Sequence, residues 1–349
     1  MLKLTLQIIL LMFGSLVLNA CQQAEPVEEY KDTVLVFGTF VDVTLVGVAA
    51  ADREAVMQSI EKDLQYYHYA FHPWHSGPTG RVNQLLAATG EFTANPSLIP
   101  LIKESKLYSQ QSHDLFNPAI GNLIGLWGYH EELPPEGPSP SKKDIEAILA
   151  QKPSMESITI HGVRINNTNP AVRLDFGAIA KGYAVDQILQ RLKRMGVQNA
   201  IINSGGDLKA IGKHGARPWH IGIRDPREKG VIAGLDINDG EAVFTSGDYE
   251  RFYMEQGKRY HHILDPRTGY PARNSQSVTV VHSNAALADA AATALFVAGP
   301  KQWLDIARSM HIHEAMLIDR NGKIYITAAL KKRIQFEKPN HDIQVVDTP

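Results

Sequence analysis

Apolar residues recur along this chain with two different periods. Over residues 51–69, Val56, Ile60, Leu64 and Tyr67 fall at helical spacing, which predicts a helix there. The same period predicts helices over 81–88, 98–111 and 179–195, the last stopped by Gly196, and over the Ala-rich run 285–297. Ser141 followed three residues later by Asp144 marks one more helix start. Between these runs the period shortens to two. Strands are predicted over 34–46, 200–203, 220–224, 232–237, 242–245 and 278–281, and over 157–165 and 172–174 around an Asn166-Asn167 turn. Segments 316–319 and 323–327 flank Asn321-Gly322, a two-residue hairpin signal.

Strands and helices do not alternate strictly, so the pattern favours an α+β fold with mixed, largely antiparallel sheets and packed helices in two joined lobes. No Gly-x-Gly-x-x-Gly unit and no Gly-x-x-x-x-Gly-Lys-Ser/Thr loop occurs, which argues against Rossmann and P-loop nucleotide sites. The 349 residues are 44% hydrophobic and 21% charged, enough for a real core. A formal net charge of -2 gives no general attraction to a phosphate backbone, so no nucleic-acid partner is expected.

The N-terminus has its own pattern. Lys3 precedes an apolar run from Leu4 to Leu18, and Leu18-Asn19-Ala20-Cys21 follows. Residues 1–20 read as a signal peptide, since the run is shorter than the roughly 20 residues a spanning helix needs. The segment resembles a bacterial lipobox, which implies lipidation of Cys21 and a membrane anchor. Cys21 is the only cysteine, so no intrachain disulfide is possible. Residues 21–32 are expected to be a tether and 33–340 the folded domain. The expected location is the bacterial cell envelope facing the periplasm, on the outer or inner membrane, with Gln22 after the cysteine favouring the outer one.

Three segments carry candidate chemistry. Leu174 to Tyr183 reads as a strand ending at Asp175 and turning through Gly177 into a helix, with Lys181 in the first turn. Backbone N–H groups and Lys181 there suit a phosphate, although a helix cap and a solvated surface charge fit equally. On the Ala-rich helix, Asp289 and Thr293 are four apart and share a face, so their oxygens suit a hard cation such as Mg2+. A threonine bonding its own backbone beside a surface aspartate is the plainer reading. In Tyr260 to Pro271, neighbouring His261 and His262 point to opposite faces if they lie on a strand, so one of them enters a site. Without a His-Glu-x-x-His helix, zinc is a minor option. The turns Asn203 to Asp207 and Thr245 to Tyr249 let backbone approach a ligand, or are tight hairpins.

Together and in this order, these segments resemble the FAD:protein FMN transferase family, also called ApbE-like lipoproteins. The likeness runs through Phe37-Gly38-Thr39, Phe116-Asn117-Pro118, Asp175 to Tyr183, Ser204 to Asp207, Thr245 to Tyr249, His262 to Gly269 and Ala288-Asp289-Ala290-x-x-Thr293. It implies Mg2+-dependent transfer of FMN from FAD to a Thr or Ser hydroxyl of an acceptor protein, with release of AMP. It implies that Asp289 and Thr293 hold Mg2+, joined by Ala178 through its carbonyl, and that Asp175, Lys181 and Ile263 lie against FAD. Phe37 and Leu115-Phe116-Asn117 fall where the family packs and bonds the flavin nucleotide, and Trp74 is a stacking partner from the loop 71–77. Family members often carry Met at the position of Phe37 and Asp at that of Asn117. The expected acceptors are flavoproteins such as subunits of membrane redox complexes. His262 is the candidate general base, with Asp265 orienting it. A pyrophosphatase releasing free FMN, and a FAD-binding lipoprotein without turnover, use the same residues.

Overall fold

The structure is a computed structural model that describes residues 28–131, 135 and 137–347. Cys21 and the signal sequence lie outside the described residues. In chain order the strands are β1 (Glu29–Val36), β2 (Thr39–Val46), β3 (Gly90–Thr93), β4 (Ile158–His161), β5 (Arg164–Asn167), β6 (Asn199–Ser204), β7 (Asp207–Ile211), β8 (Trp219–Arg224), β9 (Val231–Ile237), β10 (Ala242–Gly247), β11 (Phe252–Glu255), β12 (Lys258–His261), β13 (Ser275–His282), β14 (Glu314–Asp319), β15 (Ile324–Thr327), β16 (Ile334–Phe336) and β17 (Ile343–Val346). The helices are α1 (Ala50–Phe71), α2 (Pro78–Leu86), α3 (Ile99–Gln111), α4 (Gly121–Leu126), α5 (Lys142–Leu149), α6 (Ala180–Arg194), α7 (Ala285–Ser309) and α8 (Ala328–Lys331).

A nine-stranded sheet in the order β1-β2-β6-β7-β10-β13-β14-β15-β17 organises the chain, antiparallel except at its β15–β17 end. Strand alternation sorts its side chains into two cores. Phe244, Val278, Val280, Ala315 and Leu317 face α7 and the helical side. Val243, Val281, Met316 and Ile318 face the three-stranded sheet β16-β9-β8 and meet Trp219, Ile221 and Ile223. Toward β1, Val56, Ile60 and Leu64 of α1 pack with Val185, Ile188 and Leu189 of α6 on Val41, Val43 and Ile202. The α+β expectation holds, with largely antiparallel sheets.

Several boundaries differ from the sequence reading. The 34–46 run is a hairpin, because Phe37 and Gly38 adopt φ 56° and 68° and reverse the chain. Its first strand starts at Glu29, so residues 29–32 belong to the sheet and not to a tether; at the other end, β17 carries the fold to Val346. The 157–165 run folds back at Gly162, φ 64°, and Asn166-Asn167 is strand, pairing with both β3 and β4. Arg173 makes one parallel bridge to Ile120 and no longer strand. α7 runs past its expected end because it kinks at Gly299, φ 65°, before Pro300 and then resumes.

His261 and His262 part as alternation requires. His261 is 4% exposed; Ile263 N–H donates to its Nδ1 at 3.3 Å, and its Nε2–H donates to the Ala272 carbonyl at 2.6 Å. Protonation at Nδ1 would set two N–H groups against each other, and burial pushes the ring's pKa down to about 4. The folded value lies below the ordinary 6.5, so between these pH values the unfolded chain binds more protons and stability is lost as pH falls. The cost of His261→Asn, read from thermal or urea unfolding, should therefore be about 2 kcal/mol smaller at pH 5 than at pH 7.5. An equal cost at both pH values would contradict this.

Candidate active site

Close helix packing sets the site's floor. A Cβ at Gly182 would sit 2.2 Å from the Ala285 carbonyl, so α6 and α7 touch only because this residue is glycine. The contact brings Gly182 N–H to Asp289 Oδ2 at 3.1 Å. One turn further along α7, Thr293 Oγ1 lies 3.1 Å from Ser246 Oγ on β10. Asp289 is 6% exposed, and burial is the largest influence lifting its carboxyl to about 7. Nearby Asp207 adds to that, while Lys181 and the Gly182 N–H oppose it.

Lys181 is not a surface charge. It pairs with Asp207 at the start of β7, whose other oxygen accepts the Thr245 N–H at 2.9 Å. Burial works against the ammonium, but Asp207 and then Asp289 outweigh it and hold Lys181 protonated, above the usual lysine range. Asp207 follows the turn Gly205-Gly206, both at positive φ; a Cβ on Gly205 would meet Thr39 Oγ1 at 2.6 Å. The Asn203–Asp207 segment is thus a tight hairpin and a close approach at once.

The Asp175 segment is wired differently from the sequence reading. Gly177 N–H donates to Asp175 Oδ1 at 2.8 Å, and the Ile179 and Ala180 N–H groups both close on the Phe176 carbonyl. These N–H groups are engaged within the protein, so Lys181 is the cationic group this turn offers to a phosphate. Asp175 caps its own turn and not α6, and burial raises its pKa despite the Gly177 and Trp74 hydrogen bonds. Trp74 Nε1 donates to Asp175 Oδ2 at 3.3 Å, and the Arg173 guanidinium covers the ring at 3.8 Å. Asn117 accepts from Ala119 N–H and donates to the Pro153 carbonyl, each at 3.0 Å, so its amide fixes the loop behind buried Leu115 and Phe116.

These walls enclose a cavity of about 570 Å³, within the range of nucleotide-sized ligand sites. Phe37, Trp74, Leu115, Phe116, Asn117, Asp175, Ala178, Lys181, His262, Ile263, Asp289 and Thr293 all line it. Asp265 does not: its carboxylate is held by Arg267 through Nε at 2.9 Å and Nη2 at 2.8 Å. It fixes the 265–269 turn and does not orient His262. That task falls to the Arg251 carbonyl, 3.3 Å from His262 Nδ1. A carbonyl can only accept, so Nδ1 carries the proton and Nε2 keeps its lone pair. Burial, then His261 and Arg251, push the His262 pKa down to about 3, so the ring is neutral.

Asp289 brings a buried carboxylate and Thr293 a hydroxyl to the cavity that Ala178 also lines, hard oxygens whose chemistry fits Mg2+. The Ser246 hydroxyl adjoins it and was not anticipated. Nor were Arg224, Glu250, Arg251 or Tyr129, which also line the cavity; Glu250 and Arg251 directly follow a segment the sequence had marked. Thr245 to Gly247 proves to be strand, with Gly247 open because the Tyr249 ring would lie 2.5 Å from a Cβ.

The ApbE family profile matches residues 37–317, which include every cavity residue named above. The chain belongs to the ApbE family. A Rhodobacter capsulatus FAD:protein FMN transferase is 38% identical over 329 residues; the alignment covers 93% of this chain, which spans only 62% of that relative's length. A Klebsiella pneumoniae FAD:protein FMN transferase is 35% identical, with 73% of this chain and 78% of the relative covered. Among solved structures, the ApbE protein of Thermotoga maritima superposes with a TM-score of 0.79 at 31% identity, covering 89% of this chain and all of the other. The apo Pseudomonas stutzeri flavinyl transferase ApbE gives 0.75 at 29% identity, covering 90% and 98%.

In this ApbE-family site Phe37 stands out. A bulky residue at φ 56° is strained, yet its ring packs edge-on against His68 at 5.7 Å and faces the cavity. Phe37→Asn should relieve about 1 kcal/mol at the turn and weaken FAD binding about tenfold through the lost ring. Thermal unfolding and a FAD titration read the two effects separately; unchanged FAD affinity would remove Phe37 from the binding wall.

Proposed function

We propose that this chain transfers FMN from FAD to a Thr or Ser hydroxyl of an acceptor protein and releases AMP. The observation that supports it most is the convergence of Asp289, Thr293, Lys181 and His262 on one nucleotide-sized cavity. The acceptor Oγ attacks the phosphorus on the FMN side of the pyrophosphate. The bond from that phosphorus to the bridging oxygen breaks, AMP leaves with the electron pair, and the hydroxyl proton passes to His262 Nε2. A phosphodiester links FMN to the acceptor. Such reactions depend on positioning and charge neutralisation. Asp289 and Thr293, with the Ala178 carbonyl, would hold Mg2+, which would supply charge neutralisation for the pyrophosphate. Lys181, held protonated by Asp207, adds a fixed positive charge, and the negative pyrophosphate raises the basicity of His262.

Trp74, Phe37, Leu115, Phe116 and Ile263 supply the apolar and aromatic surface for the flavin nucleotide, and Asn117 and Asp175 fix the loops that carry it. The lipobox-like Cys21 supports placement on an envelope membrane facing the periplasm, with acceptors among membrane redox-complex subunits. Product analysis tests the reaction. With FAD, Mg2+ and acceptor, AMP and protein-bound flavin should rise one-to-one. AMP with equal free FMN would mean a pyrophosphatase, and FAD binding without either product a carrier.

A further inference from the structure

One wall of the cavity is a strand with an unpaired edge. Among the described residues the sheets end at β1 and β17, β16 and β8, β11 and β12, and β3 and β4. Of these end strands only β8 lines the cavity, and it does so with Ile221, Gly222, Ile223 and Arg224 in succession. Side chains alternate along a strand, so a cavity lying on one face of β8 would take every second residue. Four consecutive residues mean that the cavity runs along the backbone edge. Ile221 and Ile223 are buried against the nine-stranded sheet, while Gly222 and Arg224 are exposed on the other face. Gly222 leaves the middle of the edge without a side chain, and at its end Arg224 lies 4.8 Å over the Tyr249 ring and 3.6 Å from Glu250.

We infer that this edge receives the acceptor: an extended segment of the acceptor protein pairs with β8 as an added strand and presents its Ser or Thr hydroxyl to the phosphate held at Lys181. The inference rests on the transferase reading above. Main-chain hydrogen bonds would give affinity without demanding one sequence, while alternate side chains meet the walls. The six residues of β8 match an ordinary strand partner.

Backbone N-methylation tests it. The full chain with FAD and Mg2+ is given a synthetic peptide of about ten residues with one central Thr, long enough for one strand, and copies methylated at one backbone nitrogen each. Strand addition predicts flavin on the unmethylated peptide. It also predicts about a tenfold loss or more, at sub-saturating peptide, for methylation at every second residue, with the intervening positions within about twofold. Labelling that tolerates methylation everywhere, or fails equally at all positions, overturns strand addition and leaves the transferase standing. AMP release without flavin on the unmethylated peptide overturns the transferase reading, and this inference with it.

Discussion

Asp289→Asn should lower the rate of FMN transfer at saturating FAD and Mg2+ by at least about a hundredfold, while the protein becomes no less stable. The two halves of this expectation come from one feature. Asp289 is buried beside Asp207, and its carboxyl is lifted to about 7, so near neutral pH the fold gains little from its charge. Asparagine keeps an oxygen for the Gly182 N–H and removes the anion, so the thermal midpoint should hold or rise. What disappears is the negative oxygen that the proposed cation site on α7 requires. Titrating Mg2+ against rate should show that excess metal does not restore the variant. Transfer within tenfold of wild type would contradict the assignment.

His262→Ala should slow transfer by about 10²- to 10⁴-fold, the range for a lost general base. Alanine also removes the contact with the Arg251 carbonyl, so His262→Asn is the informative partner. Its side-chain amide can donate to the same carbonyl but offers no nitrogen lone pair to the hydroxyl. A base predicts that both variants are slow with FAD affinity unchanged. A purely positioning histidine predicts recovery in the asparagine variant. Single-turnover rates at saturating FAD, with binding measured separately, divide the two.

The longer helices and most of the main sheet could be read from sequence because their apolar residues recur with a clean period, as in α1 and α6, whereas the short helices α4 and α8 were missed. Turns without their usual residues could not. Phe37-Gly38 lacks the Asn-Gly signature and is apolar throughout, so the hairpin read as one strand, and the 157–165 run hid its reversal at Gly162-Val163 because no Asn-Gly pair marks it. The opposite error occurred at Ser246 and Gly247, which continue the 242–245 strand. There glycine serves the ring of Tyr249 and not a turn.

Within the site, the family motifs named residues that line the cavity, but not how they hold one another. The Lys181–Asp207 pair joins α6 to β7, and the Arg251 carbonyl fixes the His262 tautomer; both depend on three-dimensional neighbours. Asp265 was assigned by proximity in sequence to His262. Its real partner, Arg267, is only two residues away, and the bidentate pair closes the turn before either carboxylate oxygen can reach the histidine.

Intact mass measurement of the acceptor separates FMN transfer from FAD hydrolysis. The acceptor protein is incubated with this chain, FAD and Mg2+, and in parallel with a chelator or with the Asp289→Asn variant. A gain equal to one FMN less water is expected on a Ser or Thr, matched by AMP and absent from both controls. An acceptor of unchanged mass while FAD is converted to AMP and free FMN would contradict it.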